Sequence, residues 1–254
     1  MSAIRVLMKI REKKTGNYHS RNNLFLYLRG RIVFSINIRM ELKAALFDLD
    51  GVVFDTEPQY TVFWGMICRE YHPDKPNLEH HIKGQTLVQI YDRYFSDMQE
   101  EQPRITERLN DYESRMSYQY IPGFEVFVDD LRQHGVKCTV VTSSNRKKME
   151  VVYGKHPEFL SYFDRVLTSE DFKRSKPDPD CYLKGAEVFG VQPYECVGFE
   201  DSFNGLRAVR ASGAYTVGLT TTNSRDLVFP LSDHVIDDFQ DLTWERLTFL
   251  MSKS

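Results

Sequence analysis

Ala44-Ala45-Leu46-Phe47-Asp48-Leu49-Asp50-Gly51 runs an unbroken apolar stretch straight into two carboxylates and a glycine. A continuous apolar run, rather than an alternating one, suits a strand buried on both faces of a parallel sheet. In extended chain, residues i and i+2 point the same way, so Asp48 and Asp50 share one face at the strand's end. Carboxylates that close repel unless a cation or a proton intervenes. Gly51 lets the backbone turn sharply and leaves nearby N–H groups free to meet an anion. Leu49 and Gly51 are therefore candidate anion-binding positions.

Further along, the same ending recurs. Val136 to Val141 leads into Thr142-Ser143-Ser144, Arg165 to Leu167 into Thr168 and Ser169, and Cys196 to Phe199 into Glu200-Asp201. Tyr215 to Leu219 ends in a threonine triplet. Between these runs lie helical patterns. Phe124, Phe127, Val128 and Leu131 share a face of 124–134, which stops at Gly135, while 180–189 and 204–212 stop at Gly190 and Gly213. Strand and helix in rotation predict an α/β fold, a doubly wound, Rossmann-like parallel sheet with its site at the strands' C-terminal ends. Residues 41–54 and 121–247 would form this core. Residues 55–120 carry no strand pattern and have helical spacing, which predicts a helical cap inserted after the first strand. Pro122-Gly123 would mark the return to the sheet.

Composition narrows the function classes. The net charge of −3 hides a basic leader: residues 1–40 hold nine Lys and Arg against Glu12 alone. The body is correspondingly acidic, which argues against nucleic-acid binding by the folded part. Arg29 and Arg31 split the apolar residues of 24–38, and no long uncharged apolar run exists elsewhere, so neither an anchor nor a span is expected. An Arg-rich, acid-poor leader is open to reading as an organelle-targeting peptide or as a basic arm for nucleic acid or anionic lipid. The reading preferred is sequence ahead of a natural start at Met40, and the leader is expected to be poorly packed. Cys68, Cys138, Cys181 and Cys196 lie far apart without a C-x-x-C, so a reducing, cytoplasmic setting is expected rather than a disulfide scaffold. His80-His81 is read as solvent-exposed, and Trp64, Phe63 and Ile67 as core of the helical insertion.

The chemistry gathers at the strand ends. Glu200 and Asp201, with Asp48 and Asp50, supply oxygen ligands for a hard cation such as Mg²⁺. Thr142 offers a hydroxyl backed by the Ser143 N–H, and Asn145 follows within reach of a substrate. Lys176, before Pro177-Asp178-Pro179, offers a compact positive charge on a stiffened turn.

Taken in order, Asp48-Leu49-Asp50-Gly51-Val52, Val140-Val141-Thr142-Ser143-Ser144, Lys176-Pro177 and Gly198-Phe199-Glu200-Asp201-Ser202 resemble the four motifs of the haloacid dehalogenase superfamily. Phe54-Asp55-Thr56-Glu57 and Asp201-Ser202-Phe203-Asn204-Gly205 resemble its β-phosphoglucomutase-like subgroup. The likeness covers about residues 41–245. It implies that Asp48 is the nucleophile and Asp50 the general acid and base. It implies that Thr142, Ser143 and Lys176 bind the transferring phosphoryl oxygens, and that Asp48, Asp50, Glu200 and Asp201 form a Mg²⁺ site. Two positions depart from the mutases it resembles: Tyr60 stands where they carry a cap histidine, and Leu87, three residues past Gly84, where they carry an arginine for a distal phosphate. Arg108 is a substitute charge to be located. A monomeric phosphatase of small phosphorylated metabolites, sugar phosphates foremost, with neither nucleic acid nor membrane as partner, is the expectation. A β-phosphoglucomutase is the alternative, and a catalytically silent binding module a third reading.

Overall fold

The computed structural model describes residues 41–83 and 85–253, and before them only the backbone of three strands. β1 (Asn17–Ser20), β2 (Asn23–Leu28) and β3 (Arg31–Asn37) form an antiparallel meander. What the sequence suggests for the side chains and packing of 1–40, and for Gly84, lies outside the described residues.

The main unit, residues 42–247, is built on a six-stranded parallel sheet. Its strands are β4 (Ala44–Phe47), β5 (Lys137–Val141), β6 (Arg165–Leu167), β7 (Cys196–Glu200), β8 (Tyr215–Leu219) and β9 (His234–Ile236), in the order β6-β5-β4-β7-β8-β9. The chain lays β5 and β6 to one side of β4, then crosses back to lay β7, β8 and β9 on the other. The order thus reverses at β4 and β7, where doubly wound sheets open a crevice for ligands. β4 is wholly buried, as its unbroken apolar run requires. Its register pairs Phe47 with Val140 on β5 and with Phe199 on β7, so Asp48, Val141 and Glu200 emerge at one edge. Phe47 stacks on Phe199 with 4.7 Å between ring centroids and meets Phe124 and Phe127 edge-on, locking the helix Phe124–Gln133 over the sheet.

The helices Phe124–Gln133, Asp180–Glu187 and Phe203–Ser212 fall where the apolar spacing predicts, with ends within two residues of the pattern. β9 carries too short an apolar run to announce itself. Among the described residues, 55–120 form helices and no strand: Glu57–Tyr71, Glu79–Ile82, Leu87–Tyr94 and Gln102–Arg115. They enclose an apolar cluster of their own around Phe63, Trp64, Ile67, Ile90 and Phe95. The insertion enters and leaves at adjacent points, because Phe54 bridges Tyr120 and the Asp55 N–H donates to the Gln119 carbonyl at 2.9 Å. His80 and His81 are exposed and all four cysteines are free and buried. No helix among the described residues is long and apolar enough to cross a membrane.

Candidate active site

A cleft of about 590 Å³ opens between the sheet edge and the helical insertion. Of the residues singled out in the sequence, Asp48, Asp50, Thr142, Ser143, Asn145, Lys176 and Asp201 line it. Glu200 lies directly behind, fully buried. Leu49 and Gly51 do not line it. The Gly51 N–H donates to the Phe54 carbonyl at 2.8 Å, so that amide is spent within its own turn rather than offered to an anion. The glycine is required there for another reason. Its φ is +75°, and a Cβ would fall 2.1 Å from Asp201 Oδ2.

Lys176 binds the constellation together. It is 2% exposed. Its Nζ donates to Asp48 Oδ1 at 2.7 Å and to the Val141 carbonyl at 3.1 Å, and lies 2.6 Å from Glu200 Oε1. The Tyr182 hydroxyl donates to the same Glu200 oxygen at 2.7 Å. Burial of an ammonium would lower its pKa, but the Asp48 and Glu200 carboxylates override this and hold Lys176 charged, with its pKa raised. Gly205 opens the space behind: a Cβ there would lie 1.9 Å from the Glu200 carboxylate.

Asp48, Glu200 and Asp201 each bring a carboxylate oxygen within 4.8 Å of the others. Burial drives the Asp48 carboxyl up from 3.8 to about 7; Lys176 pulls it down, while Glu200 and Asp50 push it up. The Asp201 carboxyl is also raised, by burial and then by Glu57, Glu200 and Asp48. Thr222 donates to Asp201 Oδ2, and Asn223 to its carbonyl at 2.9 Å. Several buried carboxylates with a single lysine among them leave a deficit of positive charge. This donor set fits a hard divalent cation.

Asp50 is held from several sides. Thr56 Oγ1 donates to its Oδ1 at 2.6 Å and Ser144 Oγ to its Oδ2 at 3.0 Å, and Lys148 Nζ forms an ion pair with the same Oδ2. The Thr142 hydroxyl accepts the Ser144 N–H at 3.0 Å, and Ser143 Oγ is buried without a hydrogen-bond partner among the described residues. Asn145 has a helical task, its Oδ1 accepting the Lys148 N–H at 2.9 Å as the N-cap of the helix Arg146–Lys155.

Sequence reading missed several lining residues: Lys148, Ser144, and from the insertion Glu57, Glu113 and Lys83. Only Ser144 and Glu57 stood in quoted motifs, and neither was assigned a role. Lys148 shares a face with the buried Val152, four residues on, and that periodicity could have marked it. The two positions that depart from the mutases both face the cleft: Tyr60 donates its hydroxyl to Glu113 Oε1 at 2.8 Å, and Leu87 lines the wall. Arg108 is spent on an exposed pair with Glu70, 2.8 Å away, and does not line the cleft.

Residues 45–219 match the family described as haloacid dehalogenase-like hydrolase. A probable pseudouridine-5'-phosphatase of Drosophila melanogaster is 31% identical over 182 residues, covering 68% of this chain and 79% of its own. Hexitol phosphatase A of Escherichia coli is 29% identical over 185 residues, covering 71% and 84%. Among solved structures, a β-phosphoglucomutase of Clostridium difficile superposes with a TM-score of 0.71 over 84% of this chain and 98% of its own, at 23% identity, which speaks to the fold.

Proposed function

The chain belongs to the haloacid dehalogenase-like hydrolases, and on that footing we propose that it is a Mg²⁺-dependent phosphatase of small phosphorylated metabolites, sugar or polyol phosphates foremost, working through an aspartyl-phosphate. The observation that carries this reading is the juxtaposition of Asp48 with Lys176, Glu200 and Asp201 at the reversal point of the sheet.

The steps follow from the positions. An Asp48 carboxylate oxygen attacks phosphorus, and the bond from phosphorus to the leaving oxygen breaks as Asp50 supplies that oxygen's proton. Water then attacks the aspartyl-phosphate and gives its proton back to Asp50, releasing inorganic phosphate and restoring Asp48. Lys176, the Thr142 hydroxyl and the backbone N–H of Ser143 take the phosphoryl oxygens as charge builds. Asp48, Glu200, Asp201 and the Asp50 carbonyl would hold Mg²⁺, which when bound screens the carboxylates from the phosphate. The helices of 57–115 cover the cleft and keep bulk water from the intermediate.

Hydrolysis is favoured over mutase chemistry by what the cleft lacks. A bisphosphate intermediate needs cations for its distal phosphate. Of the lysines lining the cleft, Lys83 stands 3.5 Å from Glu57, Lys148 is paired with Asp50, Lys176 is spent on Asp48 and Glu200, and Lys173 sits exposed. Arg108 does not line it, and Leu87 is neutral. Glu57, Glu113 and Tyr60 suit hydroxyl groups better than a second phosphate. The names of the two phosphatase relatives support the same substrate class.

Phosphate release from a panel of phosphomonoesters with Mg²⁺ tests this. The panel holds sugar and hexitol phosphates, pseudouridine 5'-phosphate, phosphoglycolate and β-glucose 1-phosphate. One compound should turn over with kcat/KM above roughly 10⁴ M⁻¹s⁻¹. No release, but glucose 6-phosphate formed from β-glucose 1-phosphate once a bisphosphate primer is added, would identify a mutase. Inertness in both assays would point to a binding module.

The metal has its own test. Unfolded carboxyl groups titrate near 4, whereas the Asp48 carboxyl is raised to about 7 and those of Asp201 and Glu57 are raised too, burial being the first cause for each. Across that window the metal-free folded chain binds more protons than the unfolded one, so its stability falls as pH rises. Mg²⁺ competes with those protons. Millimolar Mg²⁺ should therefore raise Tm by several degrees at about pH 8 and far less at about pH 5. An unmoved Tm at the higher pH, with activity surviving EDTA, would remove the metal from the reaction.

A further inference from the structure

Lys148 has no part in the steps above, yet it is placed with care. It is 3% exposed, in the first turn of the helix Arg146–Lys155 behind the Asn145 cap. Its Nζ pairs with Asp50 Oδ2, donates to Ser144 Oγ at 3.0 Å, and lies over the Tyr60 ring, 4.7 Å from the centroid. An ammonium has three N–H donors, and here a carboxylate, a hydroxyl and an aromatic face receive them. Tyr60 is fixed in turn by its hydrogen bond to Glu113. The line Asp50–Lys148–Tyr60–Glu113 thus runs from the sheet edge into two helices of the insertion. Burying a lysine this far is costly unless it is paired, and its neighbours Arg146 and Lys147 are exposed.

We infer that Lys148 is a positioning residue for Asp50: it holds that carboxylate in one orientation, and the Tyr60 ring seats it when the insertion covers the cleft. The inference rests on the reading of Asp50 as the proton donor and acceptor. The terminal torsion of an aspartate is broad and roughly two-fold. Without Lys148, the neutral hydroxyls of Thr56 and Ser144 remain to set it. Lys148 contributes by keeping Asp50 aimed at the leaving oxygen and then at the attacking water, not by touching the substrate.

The test uses the full chain with Mg²⁺ and p-nitrophenyl phosphate, together with the best phosphomonoester from the panel. Lys148→Met should lower kcat by about 10- to 100-fold with KM within about twofold and Tm within a few degrees of the parent. Lys148→Arg should recover part of the loss, and Tyr60→Leu should lower kcat in the same direction by a smaller factor. The decisive measurement is the double variant: Asp50→Asn with Lys148→Met should be no slower than Asp50→Asn alone, because both act through one carboxylate. Wild-type kcat in Lys148→Met, a loss wholly in KM, or multiplying effects in the double variant would each overturn the inference. The reading of Asp50 fails separately, if Asp50→Asn alone keeps the wild-type rate.

Discussion

Asp48→Asn should lose turnover by about 10⁴-fold or more while folding at least as well as the parent. The substitution changes one atom and removes one negative charge. That charge stands among Asp50, Glu200 and Asp201 in a buried site, where burial and its neighbours raise the carboxyl to about 7. Removing it relieves like-charge repulsion and leaves Lys176 its contact with Glu200 at 2.6 Å. In the absence of metal, Tm should therefore stay level or rise slightly. The chemical loss has a direct readout. With ³²P-labelled substrate and rapid acid quench, the parent should trap label on the protein and Asp48→Asn should trap none. Label retained by the variant, or activity within about 100-fold of the parent, would move the nucleophile to another residue. A large fall in Tm would instead show that Asp48 is needed for folding, which the surviving Lys176–Glu200 pair argues against.

What the sequence could and could not disclose follows from the range of each interaction. The central strands were legible because burial on both faces demands continuous apolar runs, and Ala44–Phe47, Lys137–Val141 and Cys196–Glu200 have them. The polar residues at their ends could be gathered into one site because a parallel sheet brings all its C-terminal ends to one edge. β9, three residues at the sheet margin, lacked a run long enough to read. Asn145 was legible as polar and near the site, but its task as helix cap was not, because that depends on where the Lys148 N–H falls. Gly51 was rightly marked as a turn, while the fate of its N–H depended on the Phe54 carbonyl. Lys148 was hidden within Arg146-Lys147-Lys148, which reads as a solvated basic face. Its partner, Asp50, lies 98 residues earlier in the chain.

Lys176→Met should fail in both respects, losing catalysis and stability together. Methionine fills much of the lysine's volume, so packing is nearly preserved and the charge is the variable. What remains is Glu200, fully buried, with the Tyr182 and Ser202 hydroxyls for company, facing Asp48 across the space the ammonium occupied. Removing one partner of a buried ion pair leaves the other uncompensated, at a cost of about 3–5 kcal/mol. For a chain of this size that is a fall in Tm of roughly 10 °C. The stranded carboxylates can escape by taking up protons, so the fall should be smaller at about pH 5 than at about pH 8. Catalysis should drop by about 10³-fold or more, because a donor to the phosphoryl oxygens is gone. A second substitution separates the two losses. Adding Glu200→Gln to Lys176→Met removes the uncompensated charge and should return a good part of the Tm, while activity stays lost. If Lys176→Met melts with the parent at about pH 8, the ion-pair network does not anchor this sheet edge, and Lys176 serves the substrate alone.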